Sequence, residues 1–407
     1  MTGPLAEGTA LAVERVARES YGRLVAWLAA HCGDLALAED AMGDALSAAL
    51  STWPEQGVPS DPQAWLLTAA RRRVIDRVRR QQTRDHGMDR LRQQAEEIQT
   101  SSLGGGLVDR RLELLFVCAH PEIDAQIRTP LMLQTVLGLS AQRIGSAFLL
   151  SPTTLGQRLV RAKRRIQELG LSMELPAPRE LQERLTFVLE AIYAAFGTHW
   201  DHQQQGTLDR EALWLASLLA THLPQSAEAK GLYALILFCS ARQEARRTSA
   251  GDFVPLHQQD TALWNHAQIA TAEATVRQAA ALRQPGPFQL EAAIQSIHAH
   301  RHISGQTNHR AILTLYRGLA RMAPSLGAHI GMAASFQQLG RASEGLEVLD
   351  QLPKERVVRH QPYWAVRAHL LRDVGQEELA QAAFGQAIAL CSDPAIQRWL
   401  RQVQAGV

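Results

Sequence analysis

LSAQRIGSAFLLSPTTLGQRLVRAKRR, residues 139–165, carries two runs of helical period separated by a short break, and its spacing predicts a helix-turn-helix. Leu139 and Ser140 open the first helix, with Ile144, Ala147 and Phe148 at inward spacing, and Leu149 to Ser151 make the turn. Ser151 can act as N-cap, and Pro152 falls at the first helical position, where its missing N–H costs nothing. In the second helix Leu155, Leu159, Ala162 and Ile166 recur at i, i+4, i+7 and i+11 on one face. Thr153, Thr154, Gln157, Arg158, Arg161 and Arg165 share the other. Such side chains donate to base edges and phosphates, and the early turns of a helix in the major groove are the part that reaches bases. A solvated basic helix is the plain alternative, but the Ser-Pro cap behind an apolar-faced helix favours DNA.

Around this stretch lies a chain of 407 residues with 46% hydrophobic and 20% charged residues, enough for two or three globular domains. The net charge of +2 hides an asymmetry. Residues 1–61 hold 3 basic and 9 acidic side chains, residues 62–170 hold 18 and 10, and residues 171–407 hold 21 and 21. Acidic, basic and neutral thirds imply different partners. Cys32, Cys118, Cys239 and Cys391 lack metal-ligand spacing and read as reduced, buried thiols of a cytoplasmic protein. The longest apolar run, around Leu232 to Cys239, is too short for a membrane span, and the N-terminus lacks a signal-peptide pattern.

Strand signals are nearly absent, so the fold class is all-α. A first unit spans about Val13 to Arg80, its opening helix turning Val13, Val16, Tyr21, Leu24, Trp27 and Leu28 inward. A second helix runs from Asp34 through Leu50 with Glu39, Asp40 and Asp44 exposed, and WPEQGVPSDP (53–62) reads as a turn-rich loop. The next helix, Ala64 to Arg80, begins apolar and ends basic. Its Arg71, Arg72, Arg73, Arg77, Arg79 and Arg80 exceed what one salt-bridged face absorbs, since Asp76 is the only acid among them, and a polyanion is the natural partner. Residues 81–107 are polar and end in SSLGGGL, which is linker chemistry. A second unit, Val108 to Gly170, holds helices from Leu112 to His120 and from Ile127 to Leu137 before the helix-turn-helix.

From Pro176 onward the chain reads as successive amphipathic helices over 185–196, 210–224, 228–246, 288–302 and 311–324. Near the end two segments superimpose at an offset of 35, setting Ala333, Leu339 and Gly340 against Ala368, Val374 and Gly375, with Ala387 where a repeat needs a small residue. Enzyme readings find little support. His298, His300, His302 and His309 lack carboxylate or Cys partners at matching spacing, so no metal is expected. Cys118 and His120 make no nucleophile pair, and no phosphate loop, dinucleotide fingerprint or nucleophile elbow is present, so neither cofactor nor enzymatic activity is expected.

The segments 38–50, 53–80, 112–123 and 138–166 together resemble, in order, the extracytoplasmic-function sigma factors of bacterial RNA polymerase that carry a C-terminal tetratricopeptide-like extension. The resemblance implies sigma region 2 over 1–80, a flexible linker over 81–107 running near the RNA exit path, a region 4 helix-turn-helix over 108–175, and a helical regulatory domain of tetratricopeptide type over 176–407. It implies core polymerase and promoter DNA as partners, with contacts to the clamp helices of the largest subunit and to the flap. Glu39, Asp40 and Asp44 would then dock on the clamp helices. The loop from Gly57 to Pro62 and the helix from Trp65 to Arg80 would capture the minus-ten element, with Trp53 and Trp65 as the nearby aromatics, each equally readable as core. Thr153, Thr154, Gln157, Arg158 and Arg161 would read the minus-thirty-five element.

Gly43, Arg143 and Gly156 depart from that family's usual pattern, so promoter sequence does not transfer. QQDTALW (258–264) and PGPFQLEAAIQSIH (285–298) look like signatures of the extension. There Gln259, Asp260 and Trp264 line an interior or concave surface, or more plainly serve as a cap (Asp260) and core (Trp264). Asn308 and His309 stand after Thr307 where that family shows acidic and Trp residues. The extension would regulate, through intramolecular contact or a regulatory protein, in place of a separate anti-sigma protein. An operator-binding regulator with a solenoid sensor would share the helix-turn-helix and the repeats, but would not need the acidic helix or the basic Trp65–Arg80 helix. A pure scaffold would need neither DNA nor polymerase.

Overall fold

The computed structural model describes residues 4–82, 109–148, 150–197 and 207–406. Among them every extended regular element is a helix, and the only strand-like feature is an isolated antiparallel bridge between Arg247 and Phe253. The apolar spacing of three and four therefore sets the fold class as expected. Helices begin where a side chain satisfies the first turn: Asp34, Ser151, Ser226, Asn265, Asn308 and Ser325 each accept from the N–H three residues on. Two compact units result, Met1–Thr198 with Gly206–Glu211, and His199–Gln205 with Ala212–Val407.

The first unit opens with three mutually packed helices, α1 (Pro4–Cys32), α2 (Leu35–Gln56) and α3 (Pro62–Gln82). α2 outruns its expected end at Leu50 and carries Pro54 within it. Trp53 continues the buried series Ala41, Ala45, Ala49 at four-residue steps, and burying the indole outweighs a proline placed in the last turn. The loop expected over 53–62 thus shrinks to 57–61, and Asp61 caps α3 by accepting from the Ala64 N–H at 3.0 Å. Gln81 and Gln82 belong to α3, and the rest of the expected linker lies outside the described residues.

α4 (Arg111–Cys118), α5 (Ala125–Thr135), α6 (Ala141–Phe148) and α7 (Pro152–Leu169) follow. Leu155, Leu159, Ala162 and Ile166 of α7 are all buried, as their spacing requires. Leu149, in the connection between α6 and α7, is outside the described residues, as is the side chain of Ala147. α8 (Pro178–Gly197) lies beyond the boundary expected at 176, yet it packs in this unit against α4 and α5. Its Leu185, Val188, Leu189 and Ile192 are buried, and the Arg128 guanidinium stands 4.3 Å over the Phe187 ring.

The second unit contains the rest: α9 (Thr207–His222, within which the division falls), α10 (Ala227–Ala241), α11 (His266–Ala281), α12 (Pro287–Ala299), α13 (Arg301–Ser304), α14 (His309–Met322), α15 (Leu326–Gln338), α16 (Ala342–Asp350), α17 (Lys354–Val357), α18 (Gln361–Asp373), α19 (Glu377–Leu390) and α20 (Pro394–Ala405). From α10 onward the longer helices pack mainly on near neighbours in sequence. α11 is an addition to the expected set; its alanine-rich stripe gives a weak apolar signal. The offset of 35 is visible in the backbone. Gly340 and Gly375 both take left-handed φ, +70° and +78°. Arg341 N–H donates to Phe336 O at 3.0 Å and Gln376 N–H to Leu371 O at 2.9 Å, the same closure one repeat apart. Ala333, Ala368 and Ala387 are fully buried where the paired helices touch.

Candidate functional site

α7 presents the face expected of it. Ser151 accepts from the Thr154 N–H at 3.2 Å, Pro152 starts the helix, and Thr153, Gln157 and Arg161 are exposed. Three candidates have protein partners: Thr154 Oγ1 accepts from Ser151 Oγ at 2.7 Å, Arg158 donates to Gln126 at 3.4 Å, and Arg165 bridges to Glu122 at 2.8 Å. Such exposed contacts are worth at most about 1 kcal/mol and exchange readily for phosphate. At 100° per residue, 153, 157, 160 and 164 form the centre of this face. Val160 and Arg164 therefore belong to it as well, an apolar residue and one member of a basic run that residue type alone does not single out. Val160 is 67% exposed, an apolar contact of the kind that suits a thymine methyl.

The acidic and basic sets of the first helices meet each other. Asp40 and Asp44 are exposed and bridge to Arg77 at 3.3 Å and Arg73 at 3.4 Å. The acids that temper the arginine run thus come from α2, and Asp76 is not their only source. Arg72 is exposed, while Arg71 lies 5.5 Å over the Trp27 ring, where burial lowers its pKa. The side chains of Arg79 and Arg80 lie outside the described residues. Trp53 is buried and meets the half-buried Trp65 edge-on at 5.5 Å, so of the two only Trp65 offers surface to a base.

Glu39 is not exposed, against expectation. Its carboxylate pairs with Lys163 of α7 at 2.6 Å, and the two side chains are only 12% and 14% exposed. Lys163 also donates to Gln134 at 2.7 Å, and Gln167 of α7 donates to Asp34 at 2.7 Å. Burial raises the Glu39 pKa more than Lys163 lowers it, and its second oxygen is buried without a partner. Lys163 follows Leu159 by four and precedes Ile166 by three, a lysine at the edge of a buried stripe, which signals an acid on whatever covers it. Close backbone approach completes the seam: a Cβ on Gly22 of α1 would overlap the Val136 carbonyl oxygen. Beside it lies a cavity of about 470 Å³ lined by Tyr21, Asp40, Asp44 and Arg77 as well as the Glu39–Lys163 pair.

In the second unit Asp260 caps a short turn by accepting from the Ala262 N–H at 2.9 Å, while Gln259 and Trp264 are buried. The Gln259 side chain donates to Val254 O at 3.2 Å, and its backbone oxygen accepts from Arg301 at 2.8 Å. Of the four histidines considered for a metal, His302 stacks on His266 at 4.8 Å, while His298 and His309 line a cavity.

Residues 17–84, from near the middle of α1 through α3, match the model of sigma-70 region 2. Residues 184–280 match a family of unknown function, DUF6596. The chain is 34% identical over 378 residues to the uncharacterized protein R00370 of Rhizobium meliloti (strain 1021), covering 90% of this chain and 89% of that one. No solved structure matches. No helix among the described residues is long and apolar enough to cross a membrane.

Proposed function

We propose that this chain, which carries a sigma-70 region 2 domain and shares a family with R00370, is a non-enzymatic transcription initiation factor of the extracytoplasmic-function sigma type. Its region 2 domain binds core RNA polymerase and promoter DNA. In the finer reading, α2 docks on the clamp helices through Asp40, Asp44 and, once released from Lys163, Glu39. The 57–62 loop and α3 engage the minus-ten element. α7 reads the minus-thirty-five element with Thr153, Thr154, Gln157, Arg158 and Arg161 while its domain rests on the flap. The second unit regulates these events, taking the part of an anti-sigma protein. The observation that carries the reading is a region 2 match over an acid-edged helix, in a chain whose α7 exposes a continuous polar and basic face opposite a fully buried stripe.

The test is transcription in vitro from fragmented genomic DNA with core polymerase and this chain as the only added factor. Discrete new transcripts are expected. They should fall by about tenfold or more when Arg158 and Arg161 both become Ala, since each lost base or phosphate contact is worth about 1–3 kcal/mol. No transcripts, together with no binding to core polymerase, would return the chain to the operator-binding reading.

A further inference from the structure

The second unit holds a cavity of about 200 Å³ with two unlike walls. Leu256, Ile312 and Ala334 make one apolar; His298, Arg301 and His309 make the other polar and basic. Tyr316 reaches it because Gly331 gives way: a Cβ there would overlap the Tyr316 ring. No acid lines the cavity, and no protein hydrogen bond to the His298 or His309 ring or to the Tyr316 hydroxyl is found among the described residues.

The charge lining this space is positive. Arg301 donates to two neutral oxygens, the backbone carbonyls of His257 at 2.6 Å and Gln259 at 2.8 Å. Arg242, 5% exposed, donates to Gln295 at 2.6 Å, and its Nη1 is buried with no partner at all. Among the described residues neither guanidinium has a carboxylate partner. Trp264 lies near both, 5.1 Å from Arg301 and 6.0 Å from Arg242, so the signature Trp fixes two cations without neutralising either. His298 registers this field: burial first, then Arg242, His309 and Arg301, push its pKa down to about 3. The one acid felt nearby, Glu291, acts on Tyr316, whose pKa burial and that charge raise to about 12. Arg242 is buried without a carboxylate, which is costly, and Arg301, partly exposed at the cavity wall, adds a second cation that an anion in the cavity would offset.

We infer that this cavity binds a small organic carboxylate. The carboxylate sits against Arg301, whose terminal nitrogens each keep an N–H beyond those given to the carbonyls, and takes further donors from His298 and His309. The carbon body rests on Leu256, Ile312 and Ala334, and the Tyr316 hydroxyl meets a second polar group. A half-apolar wall and a single lining guanidinium suit a carboxylate better than phosphate. The volume is below the ~300 Å³ at which drug-sized sites begin, which points to a small metabolite. Binding of this kind does not rest on the sigma reading and is measurable without polymerase or DNA.

The experiment is calorimetric titration of the full chain with pyruvate, succinate, 2-oxoglutarate and benzoate, with succinamide as the neutral control and inorganic phosphate as the competing anion. At least one carboxylate should bind with Kd below about 1 mM, while succinamide gives no heat. Arg301→Gln should weaken that binding by about tenfold. Because Arg301 also ties down two carbonyls, a second variant, Ala334→Leu, fills the cavity and leaves those bonds in place; it should abolish binding with its thermal midpoint unchanged. No heat from any carboxylate up to about 10 mM overturns the inference. So does binding that both variants retain, and so does binding of phosphate alone.

Discussion

Where α7 meets α2, charged groups make the contact: Lys163 to Glu39, Gln167 to Asp34, and a cavity of about 470 Å³ beside them. Where α18 meets α19, Ala368, Leu371, Ala380, Ala383 and Phe384 bury one another, with the His369 ring 5.2 Å and the Arg372 guanidinium 5.6 Å from the Phe384 ring. A buried ion pair gains little over two hydrated ions, because desolvation consumes most of the attraction. It can therefore be traded for another charged partner at small cost, whereas apolar area exposed to water has nothing to trade for. The first seam is suited to opening and the second to permanence.

Truncating the dry contact should cost most. Phe384→Ala is expected to lower the stability of the second unit by about 3–5 kcal/mol in urea unfolding. A loss under 1 kcal/mol would mean that the α18–α19 contact is loosely filled after all. Lys163→Met strikes the wet seam. It leaves Glu39 in place without its partner, and the seam is expected to loosen at a cost of about 1–2 kcal/mol, reduced from a fully buried pair because an open cavity adjoins it. Binding to core polymerase should then strengthen several-fold, by about 1 kcal/mol. If that affinity is unchanged while the seam loosens, Glu39 and the polymerase do not compete for the same opening.

Acid should separate the two regions further. The Glu39 carboxyl, raised by burial, holds its proton more tightly folded than unfolded, so its contribution is present at low pH and is lost as pH rises through the raised value. His298 and His369, pushed down to about 3 and about 4, run the opposite way. Folding excludes their protons, so stability is complete above the ordinary value of 6.5 and drains away as pH falls from there toward the lowered values. Between pH 7 and 5.5 hydrogen exchange should show α18 and α19 losing about 1 kcal/mol of protection while α2 and α7 do not. Smallest is the surface pair: Arg73→Ala should change first-unit stability by less than about 0.5 kcal/mol, since both partners are half-exposed.

Features that depend on near neighbours were readable in the chain: the Leu155–Ile166 stripe, the Ser151 cap, and the matched turns at Gly340 and Gly375. Those that depend on distant partners were not. Glu39 looks exposed until Lys163, far along the chain, covers it, and the arginines of α3 look unpaired until α2 lies alongside. Trp53 looked like loop because Pro54 follows it, while its place in the series with Ala45 and Ala49 was the stronger signal. The basic cavity draws on residues from Leu256 to Gln338, and no local spacing brings them together.

The match to DUF6596 begins at residue 184, within a helix whose Leu185, Val188, Leu189 and Ile192 are buried in the first unit. The seam between the two family models is thus not a place where the molecule comes apart. A graft that attached this extension to another protein at that seam would leave the donor's α4 and α5 bare and hand the recipient a helix with no surface to rest on. Inheritance of the extension as a portable cassette requires that α8 travel with the first unit, and recombination breakpoints among relatives are expected after residue 197.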